Sequence, residues 1–315
     1  MIVKVRENKQ KASRREADIS GEPLAFSLKL PADYRAEEVM AFHARDPEGL
    51  VEKVEPGRIC KGLMLGKAPV ALEIQLRRGR ALCRAFVDGG RSMLDTNGLR
   101  GAVRRMLGLH LDPGIFESRF SDDPILGEPV RRHAGLRIPC TATPFEALMW
   151  AIIGQQINVR FAISLRRTLI QFAGVQHSRG IWCHPGPAFV AALNPEELGR
   201  HKFSRAKAET LVRAAKRVQS GELLLEHAGN TSLLEKELVT IKGIGPWTVN
   251  YTLLRGLGLP DCSLHGDVAV RTALQRLSGS VERPEAQEAA EMLERYRPFR
   301  SLAAAHFWAS LKVTA

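Results

Sequence analysis

The spacing of apolar positions changes character near residue 93. Between residues 21 and 92 the apolar residues form short runs separated by glycine and proline, which is typical of an antiparallel sheet. One run, Phe26-Ser27-Leu28-Lys29-Leu30, alternates with period two, as a half-buried strand does. Residues 34–45 show helical spacing instead. The other predicted strands are 51–54, 58–65, 70–76 and 81–87. Together these segments predict a small α+β domain.

From residue 93 to residue 315 the apolar residues recur with helical spacing. One start signal is clear, because Thr143 is a good helix cap and Pro144 suits the first helical position. The predicted helices are 99–107, 144–153, 159–172, 187–193, 195–198, 205–219, 233–240, 246–257, 267–277, 284–296 and 300–310. The predicted fold class is therefore α+β, with a small antiparallel-sheet N-terminal domain followed by a larger all-α region.

Composition and charge indicate which kind of partner the protein binds. The chain has 315 residues with 44% hydrophobic content, which is enough for about two domains with buried cores and excludes wholesale disorder. Its 46 Lys and Arg against 34 Asp and Glu give a net charge of +12. Such a charge is typical of a protein that meets nucleic acid, although it also fits a basic surface that only favours solubility. Residues 1–20 carry both charge signs and are predicted to be a mobile basic tail.

Several classes of protein are excluded by what the sequence lacks. It has no apolar run of about 18 residues, so no membrane span is predicted, and its first twenty residues are too polar for a secretory signal. The five cysteines form no CxxC pair, which argues against a disulfide framework, a zinc site or an iron–sulfur cluster. We expect a reduced, soluble protein of the cytoplasm.

The segment Lys242-Gly243-Ile244-Gly245-Pro246-Trp247-Thr248 joins two predicted apolar helices. Glycines permit a tight turn and a close backbone approach, and the helix that opens at Pro246 presents free N–H groups to an anion. Lys242 adds a positive charge beside the turn. The segment therefore predicts a site for a DNA phosphate, with an ordinary glycine-capped helix corner as the alternative.

A second chemical signal lies about twenty residues downstream, in His265-Gly266-Asp267-Val268. Asp267 stands where a helix N-cap belongs, and a helix N-terminus stabilises a carboxylate. A fixed anion is useful where positive charge develops on a sugar, as in cleavage of a glycosidic bond. Asp267 is thus a candidate catalytic residue, although a simple capping role has the same sequence pattern.

These two segments resemble the helix–hairpin–helix DNA glycosylases, most closely the alkylation-repair type represented by 3-methyladenine DNA glycosylase II. The hairpin and its flanking helices occupy residues 238–257, and the catalytic helix begins at Asp267. The resemblance covers nearly the whole chain after the tail and is strongest over residues 133–310. The other matching segments are His133-Ala134-Gly135-Leu136-Arg137-Ile138-Pro139, Pro144-Phe145-Glu146, Ala151-Ile152-Ile153-Gly154-Gln155-Gln156-Ile157, Arg297-Pro298-Phe299-Arg300-Ser301 and His306-Phe307-Trp308.

The resemblance implies an enzyme that hydrolyses the N-glycosidic bond of alkylated purines, such as 3-methyladenine and 7-methylguanine, in base excision repair. Asp267 falls at the catalytic acidic position. Members that also nick the backbone carry a lysine two residues after the second hairpin glycine, where this chain has Trp247, and an indole cannot form an imine. No lyase activity is therefore expected, and Lys242 is interpreted as a phosphate contact.

The resemblance also implies a pocket for a base that is flipped out of the duplex. Trp247 and Tyr251 lie four residues apart on one predicted helix, so they share a face, and Trp308 falls at the third aromatic position. Phe42 is a candidate fourth side. Aromatic faces attract a cationic alkylated base by roughly 0.5–2 kcal/mol each. The alternative is that these rings only fill the core.

The DNA-contacting residues implied by the resemblance lie in two segments. The family places a wedge residue after Gly-Gln, and that position is Gln156 here, so the apolar plug of the best-known member is replaced by an amide. The full predicted DNA-binding set is Gln155, Gln156, Lys242, Gly243, Ile244, Gly245 and Thr248.

The expected partner is double-stranded DNA that contains damaged bases. We expect a monomer associated with DNA in the cytoplasm, no catalytic metal and no cofactor beyond a monovalent cation that hairpin carbonyls can hold in this family. Three alternatives stay open: a glycosylase of the same fold for oxidised or deaminated purines, a non-catalytic helix–hairpin–helix DNA-binding protein, and an RNA-binding role driven by the basic surface. Asp267 discriminates against the purely binding roles, which need no carboxylate at that spacing.

Overall fold

The fold has a five-stranded sheet followed by a mainly helical region, as the sequence predicts. The structure is a computed structural model that describes residues 22–89, 95–225 and 231–314. The predicted basic tail, residues 1–20, lies outside the described residues. The predicted fold class is confirmed by this architecture.

The sheet is antiparallel throughout, with the strand order β1-β5-β4-β3-β2. Its strands are β1 (Leu24–Lys29), β2 (Glu52–Glu55), β3 (Arg58–Leu65), β4 (Ala68–Arg77) and β5 (Arg80–Val87). Two-residue turns join β3 to β4 and β4 to β5, and Gly66 and Gly79 hold φ angles of 59° and 73° in them. Hairpin turns of this length need such left-handed positions, which explains the glycines that punctuate the apolar runs.

Two helices cover one face of the sheet, α1 (Ala36–His43) and α2 (Thr96–Met106). Val39 of α1 and Leu99 and Val103 of α2 are buried in the same core as the inward side chains of the sheet. The His43 ring contacts the Met106 carbonyl at 3.0 Å and so ties the two helices together. Although α2 lies within the predicted all-α region, its apolar side completes the core of the sheet.

The second core is built by helices that follow one another with short connections. They are α3 (Gly114–Phe120), α4 (Gly127–Arg132), α5 (Pro144–Gly154), α6 (Val159–Ala173), α7 (Pro187–Ala191), α8 (Pro195–Arg200), α9 (Arg205–Ser220), α10 (Thr231–Val239), α11 (Pro246–Thr252), α12 (Val268–Ser278), α13 (Ala286–Glu294) and α14 (Arg300–Ser310). The short helices α3 and α4 were not predicted. The region also contains one small hairpin, β6 (Val175–Gln176) with β7 (Trp182–Cys183), so the expectation of an all-α region holds only apart from this pair.

Helix α5 is the central element, because it is buried on nearly every side. Thr143 caps it through a 3.2 Å hydrogen bond from the Glu146 N–H, as the sequence predicts. Helix α11 ends against the start of α5 in a π-helical turn, Leu253–Leu257, instead of continuing as the regular helix expected to residue 257. A side chain at Gly256 would place its Cβ 2.9 Å from the Pro144 backbone, so this close contact requires glycine. The turn carries Arg255 towards the site described below.

Candidate active site

Four N–H groups converge on the carboxylate of Asp267. The residue is the N-cap of α12, and its Oδ1 accepts hydrogen bonds of 3.0 Å from the backbone N–H groups of Ala269 and Val270. The same Oδ1 accepts a 3.1 Å hydrogen bond from the indole of Trp308, and Oδ2 accepts a 3.1 Å bond from the indole of Trp247. The predicted cap is therefore present, and two indoles hold the carboxylate from the side.

None of these four donors carries a charge. Within the described ranges, Asp267 forms no ion pair with a lysine, arginine or histidine. The side chain is half-buried at the surface end of α12. A carboxylate fixed by neutral dipoles keeps its negative charge available, and such pre-oriented charges are the groups that stabilise a developing cation. The geometry suits stabilisation of a positively charged sugar.

Two of the predicted pocket rings, Trp247 and Trp308, bind this carboxylate, and Tyr251 lies beside them. Trp247 and Tyr251 are one turn apart on α11, with ring centroids 5.2 Å apart. Trp308 reaches the same place from α14, with its ring centroid 6.4 Å from that of Tyr251. Trp247 and Trp308, which are 61 positions apart in sequence, are thus brought together, as the resemblance implies.

The fourth predicted pocket residue, Phe42, lies behind this group and contacts two guanidinium groups. The Arg45 guanidinium lies 4.0 Å from the Phe42 ring centroid, and that of Arg255 lies 4.7 Å from it. Arg255 also lies 4.9 Å from the ring centroid of Trp308, and Arg45 lies 5.0 Å from that of Trp150. Phe42 therefore joins the aromatic group through arginines of the same chain.

The Tyr251 hydroxyl sits where these side chains meet. It accepts a 3.1 Å hydrogen bond from the indole N–H of Trp150, and both Arg45 and Arg255 lie beside the same oxygen. Burial alone would raise the pKa of Tyr251, but the two positive charges outweigh it and the pKa is lowered. Burial also lowers the pKa of Arg255, partly offset by the nearby Tyr251.

Sequence reasoning missed Trp150, Arg45 and Arg255. Arg255 carried a usable signal, because it follows Tyr251 by four residues and so continues the same helical face. Trp150 lies within an apolar helix and looks like an ordinary core residue. Arg45 belongs to the sheet domain, and nothing local indicates that it reaches the aromatic group.

The hairpin has the tight turn that the sequence predicts. Gly243 has φ 97°, and a side chain there would place its Cβ 2.2 Å from Thr210 Oγ1. Gly245 is the N-cap of α11, and a Cβ built on it meets no atom within 4 Å. Ile244 is buried and anchors the turn, whereas Lys242 is exposed. The turn thus combines an anchored backbone, open space at Gly245 and the exposed positive charge of Lys242.

Gln155 and Thr248, both predicted to contact DNA, hydrogen-bond to each other. The Gln155 Nε2 donates hydrogen bonds to the Gly243 carbonyl at 2.9 Å and to Thr248 Oγ1 at 2.8 Å. Thr248 is buried. Their side chains therefore fasten the hairpin to the α5–α6 connection. Gln156 is different, because it is exposed and has a φ angle of 55°, an uncommon value for a residue other than glycine.

Lys207 of α9, which was not among the predicted site residues, supports the turn at Gln156. Its Nζ donates to the carbonyls of Ile153 and Gln155, the latter at 2.9 Å. Burial lowers its pKa. A lysine at the last carbonyls of a helix also complements the helix dipole. The left-handed turn at Gln156 is thus supported by Lys207, which binds the Gln155 carbonyl, and by the Gln155 side chain, which binds the hairpin.

The hairpin carbonyls meet part of the requirement for a monovalent cation. The Lys242 carbonyl already accepts from Thr210 Oγ1 at 3.2 Å and from Arg213 at 3.0 Å. The carbonyls of Ile241 and Gly243 each accept one hydrogen bond, which leaves each a second lone pair. Cation binding stays a prediction. Across the ranges that the structure describes, no group of three or more His, Cys, Asp or Glu is arranged to hold a metal ion.

Comparison with known families agrees with this geometry. A family model described as "HhH-GPD superfamily base excision DNA repair protein" matches residues 149–298. Another, described as "AlkA N-terminal domain", matches residues 25–143. The first match includes the hairpin and Asp267, and the second includes the five-stranded sheet.

Individual relatives point the same way. DNA-3-methyladenine glycosylase 2 of Escherichia coli is 32% identical over 208 residues, which cover 65% of this chain and 69% of that protein. DNA-3-methyladenine glycosylase of Bacillus subtilis is 26% identical over 288 residues, 89% of this chain and 95% of that protein. The solved 3-methyladenine DNA glycosylase of Archaeoglobus fulgidus has a TM-score of 0.76 at 23% identity, covers 90% of this chain and 97% of its own, and shows the shared fold.

The chain therefore belongs to the HhH-GPD superfamily of base excision DNA repair proteins, and its sheet is an N-terminal domain of the AlkA type. The predicted family and the predicted activity class, a DNA glycosylase, are confirmed. DNA is accordingly its partner. In the described part of the chain, no helix has the length and apolar character needed to cross a bilayer.

Proposed function

We propose that this protein releases alkylated purines from duplex DNA by hydrolysing the N-glycosidic bond. The observation that carries the proposal is the Asp267 carboxylate, which four uncharged N–H groups hold and two of whose donors, Trp247 and Trp308, form an aromatic group with Tyr251. The names of the relatives in Escherichia coli and Bacillus subtilis, both DNA-3-methyladenine glycosylases, support the same substrate class.

The reaction needs little help at the departing base. An N3- or N7-alkylated purine is already cationic, so the bond from C1′ to the base breaks with its electron pair leaving on a base that becomes neutral. The positive charge that remains on the sugar faces the carboxylate of Asp267, which stabilises it. Water then adds at C1′ and loses a proton, which completes the hydrolysis.

The damaged nucleotide must leave the stacked duplex before it can reach Asp267. Gln156 is the candidate wedge, since it is exposed on a left-handed turn whose neighbouring residue, Gln155, is held by Lys207 and by the hairpin. The turn at Gly243 to Gly245, with Lys242 beside it, is the candidate phosphate contact. In this arrangement Gln155 and Thr248 act indirectly, by connecting the wedge turn to the hairpin.

We expect no backbone cleavage. Trp247 occupies the position of the nucleophilic lysine in members that cleave, and its indole nitrogen is engaged by Asp267. Borohydride should therefore trap no covalent adduct with a damaged or abasic duplex. A trapped adduct would show a lyase step and would contradict this part of the proposal.

A base-release assay tests the substrate class. Duplexes that each contain one defined lesion (3-methyladenine, 7-methylguanine, hypoxanthine or 8-oxoguanine) are incubated with the protein, and free base is measured over time. We expect release of the two methylated purines, with undamaged purines retained. Release of 8-oxoguanine alone would replace the proposed substrate class, and tight binding without any release would indicate a DNA-binding protein.

The protein is expected to act as a monomer in the cytoplasm.

A further inference from the structure

Two residues other than glycine hold a left-handed backbone within the described ranges, Gln156 at φ 55° and Lys202 at φ 71°. This conformation is unfavourable for a residue with a side chain, so it persists only where the surrounding structure enforces it, and it is frequent at functional sites. Gln156 is the candidate wedge. Lys202 is exposed in the turn between α8 and α9, outside the site described above.

The turn that carries Lys202 is anchored on both sides of this residue. The His201 ring packs against the Phe172 ring of α6, with the ring centroids 4.5 Å apart. Phe203 is buried in the helical core, and its N–H donates to the Leu198 carbonyl at 3.4 Å. Lys202 itself is exposed and forms no ion pair with a carboxylate of the described residues. The turn therefore presents an unpaired positive charge from a fixed backbone.

Helix α9 fixes where this charge lies relative to the wedge and the hairpin. Near its start, Lys207 donates to the Gln155 carbonyl at 2.9 Å, in the turn that carries the candidate wedge. One turn later, Thr210 Oγ1 donates to the Lys242 carbonyl of the hairpin at 3.2 Å. At 1.5 Å per residue, the hairpin contact lies about 5 Å beyond Lys207 along the helix axis, and the α8–α9 turn ends about 5 Å before it. The wedge turn therefore lies between the hairpin and Lys202.

This order decides which DNA strand each group meets. A wedge that fills the space of a flipped base stands inside the base stack, so the two sugar–phosphate backbones run on opposite sides of it. Trp247 directly follows the hairpin turn and binds Asp267, which places the flipped nucleotide and its strand on the hairpin side. Lys202 lies on the other side of the wedge turn, where the complementary strand runs.

We propose that Lys202 binds a backbone phosphate of the strand opposite the damaged base and so holds the duplex against the wedge from its second side. The inference rests on the proposed function, because it takes Gln156 as the wedge. Each backbone then meets one exposed lysine, Lys242 on the hairpin and Lys202 on the α8–α9 turn. A phosphate contact carries no sequence information, so Lys202 contributes affinity and salt dependence to the binding of any sequence.

The test measures binding to a duplex that has a tetrahydrofuran abasic analogue in place of the damaged nucleotide, so no base release is needed. Lys202→Gln should lower the affinity by about five- to tenfold at about 0.1 M salt and reduce the slope of log K against log[salt] by about one. Neutral methylphosphonate linkages then identify the strand. Placed in the complementary strand opposite the lesion, they should weaken binding of the wild type but not weaken Lys202→Gln further. Placed in the lesion strand, they should weaken both proteins alike.

Lys67→Gln is the matched control, because Lys67 is an exposed lysine in the β3–β4 turn, and it should change neither the affinity nor the slope. Lys202→Arg keeps the charge and should keep both. Lys202→Gly suits the left-handed backbone, so it should lose affinity as Lys202→Gln does while its thermal melt does not fall. Unchanged affinity in Lys202→Gln and Lys202→Gly, or a loss that is absent only on the duplex with a neutral lesion strand, would overturn the inference. If the wild type binds this duplex but releases no alkylated purine, the proposed function fails instead, so the two failures are distinguishable.

Discussion

The buried carboxylates of Glu52 and Glu146 are bound by charged donors, whereas the carboxylate of Asp267 is bound by neutral donors. Glu52 of β2 and Glu146 of α5 are buried between the sheet and the helices, where Lys61 and Arg166 both bind them. The Lys61 Nζ lies 2.6 Å from Glu146, and Arg166 lies 2.8 Å from Glu52 and 2.7 Å from Glu146. At Asp267, in contrast, the donors are two indoles and two backbone amides.

The difference shows how one chemical group serves either folding or reaction. Burial alone would raise the pKa of Glu146, but the adjacent cations, above all Lys61, lower it to about 2. Lys61 and Arg166 neutralise the charge of the Glu146 carboxylate at the contact between the two cores. Among the described residues Asp267 has no ion-pair partner, so its negative charge remains available to a cationic sugar. We expect substitutions in the first group to affect stability and those in the second to affect the rate of reaction.

The largest effect is expected from Asp267→Asn. The amide oxygen can still cap α12, but the negative charge that faces the sugar is lost. Base release should fall by about a thousandfold or more, because a pre-oriented charge is among the largest catalytic contributions. The thermal melt and the affinity for abasic DNA should stay near wild type. Asp95→Asn is the matched control, since Asp95 caps α2 in the same way, by accepting from the Asn97 N–H at 3.0 Å. Equal activity of Asp267→Asn and the wild type would remove the basis of the mechanism.

The next effect is expected from Glu146→Gln, on stability. The substitution leaves Lys61 and Arg166 sharing the single carboxylate of Glu52 in a buried place, and breaking such a cluster costs about 3 kcal/mol. Urea titration should show that loss in the free energy of unfolding, while the rate of base release per folded molecule stays unchanged. The control is Glu209→Gln on the surface, where the Glu209–Arg205 pair at 2.8 Å is solvated and should matter little. If the two substitutions destabilise equally, the buried network has no special role in folding.

The sequence was sufficient for the parts of the molecule that local patterns specify. Strand β3 and helix α14 have the predicted bounds, because a glycine flanks the apolar run of β3 on each side and helical spacing is strong in α14. The glycine turn at Gly243 and the cap at Asp267 were also predicted, since each depends on a few consecutive residues. Helices α3 and α4 have seven and six residues, which are too few to establish a period, and neither begins at a proline as the equally short α7 and α8 do. They were therefore missed.

Contacts between distant segments could not be predicted in this way. Lys61 and Glu146 are 85 residues apart, and no local pattern pairs a strand lysine with a helix glutamate. For the same reason Arg45, which lies in the sheet domain, was not expected beside Tyr251 and Trp308. Gln155 shows a further limit, because sequence indicates an exposed turn but not that its side chain folds back to Gly243 and Thr248. The sequence thus predicted that Trp247, Tyr251 and Trp308 come together near Asp267, but it did not predict the charges around them.

The smallest effect is expected from Trp308→Phe, which tests whether neutral donors are what set Asp267 apart. Phenylalanine keeps a ring in the pocket but removes the N–H that lies 3.1 Å from Oδ1. A hydrogen bond to a charged group contributes about 1.5–3 kcal/mol, so the rate of base release should fall by about ten- to a hundredfold. The loss should appear in kcat and much less in KM, because stacking of the base is preserved. Trp182→Phe, in the small β6–β7 hairpin, is the control and should change neither. A loss confined to KM would mean that Trp308 serves only as a stacking surface, and Asp267 would then depend on its helix and on Trp247 alone.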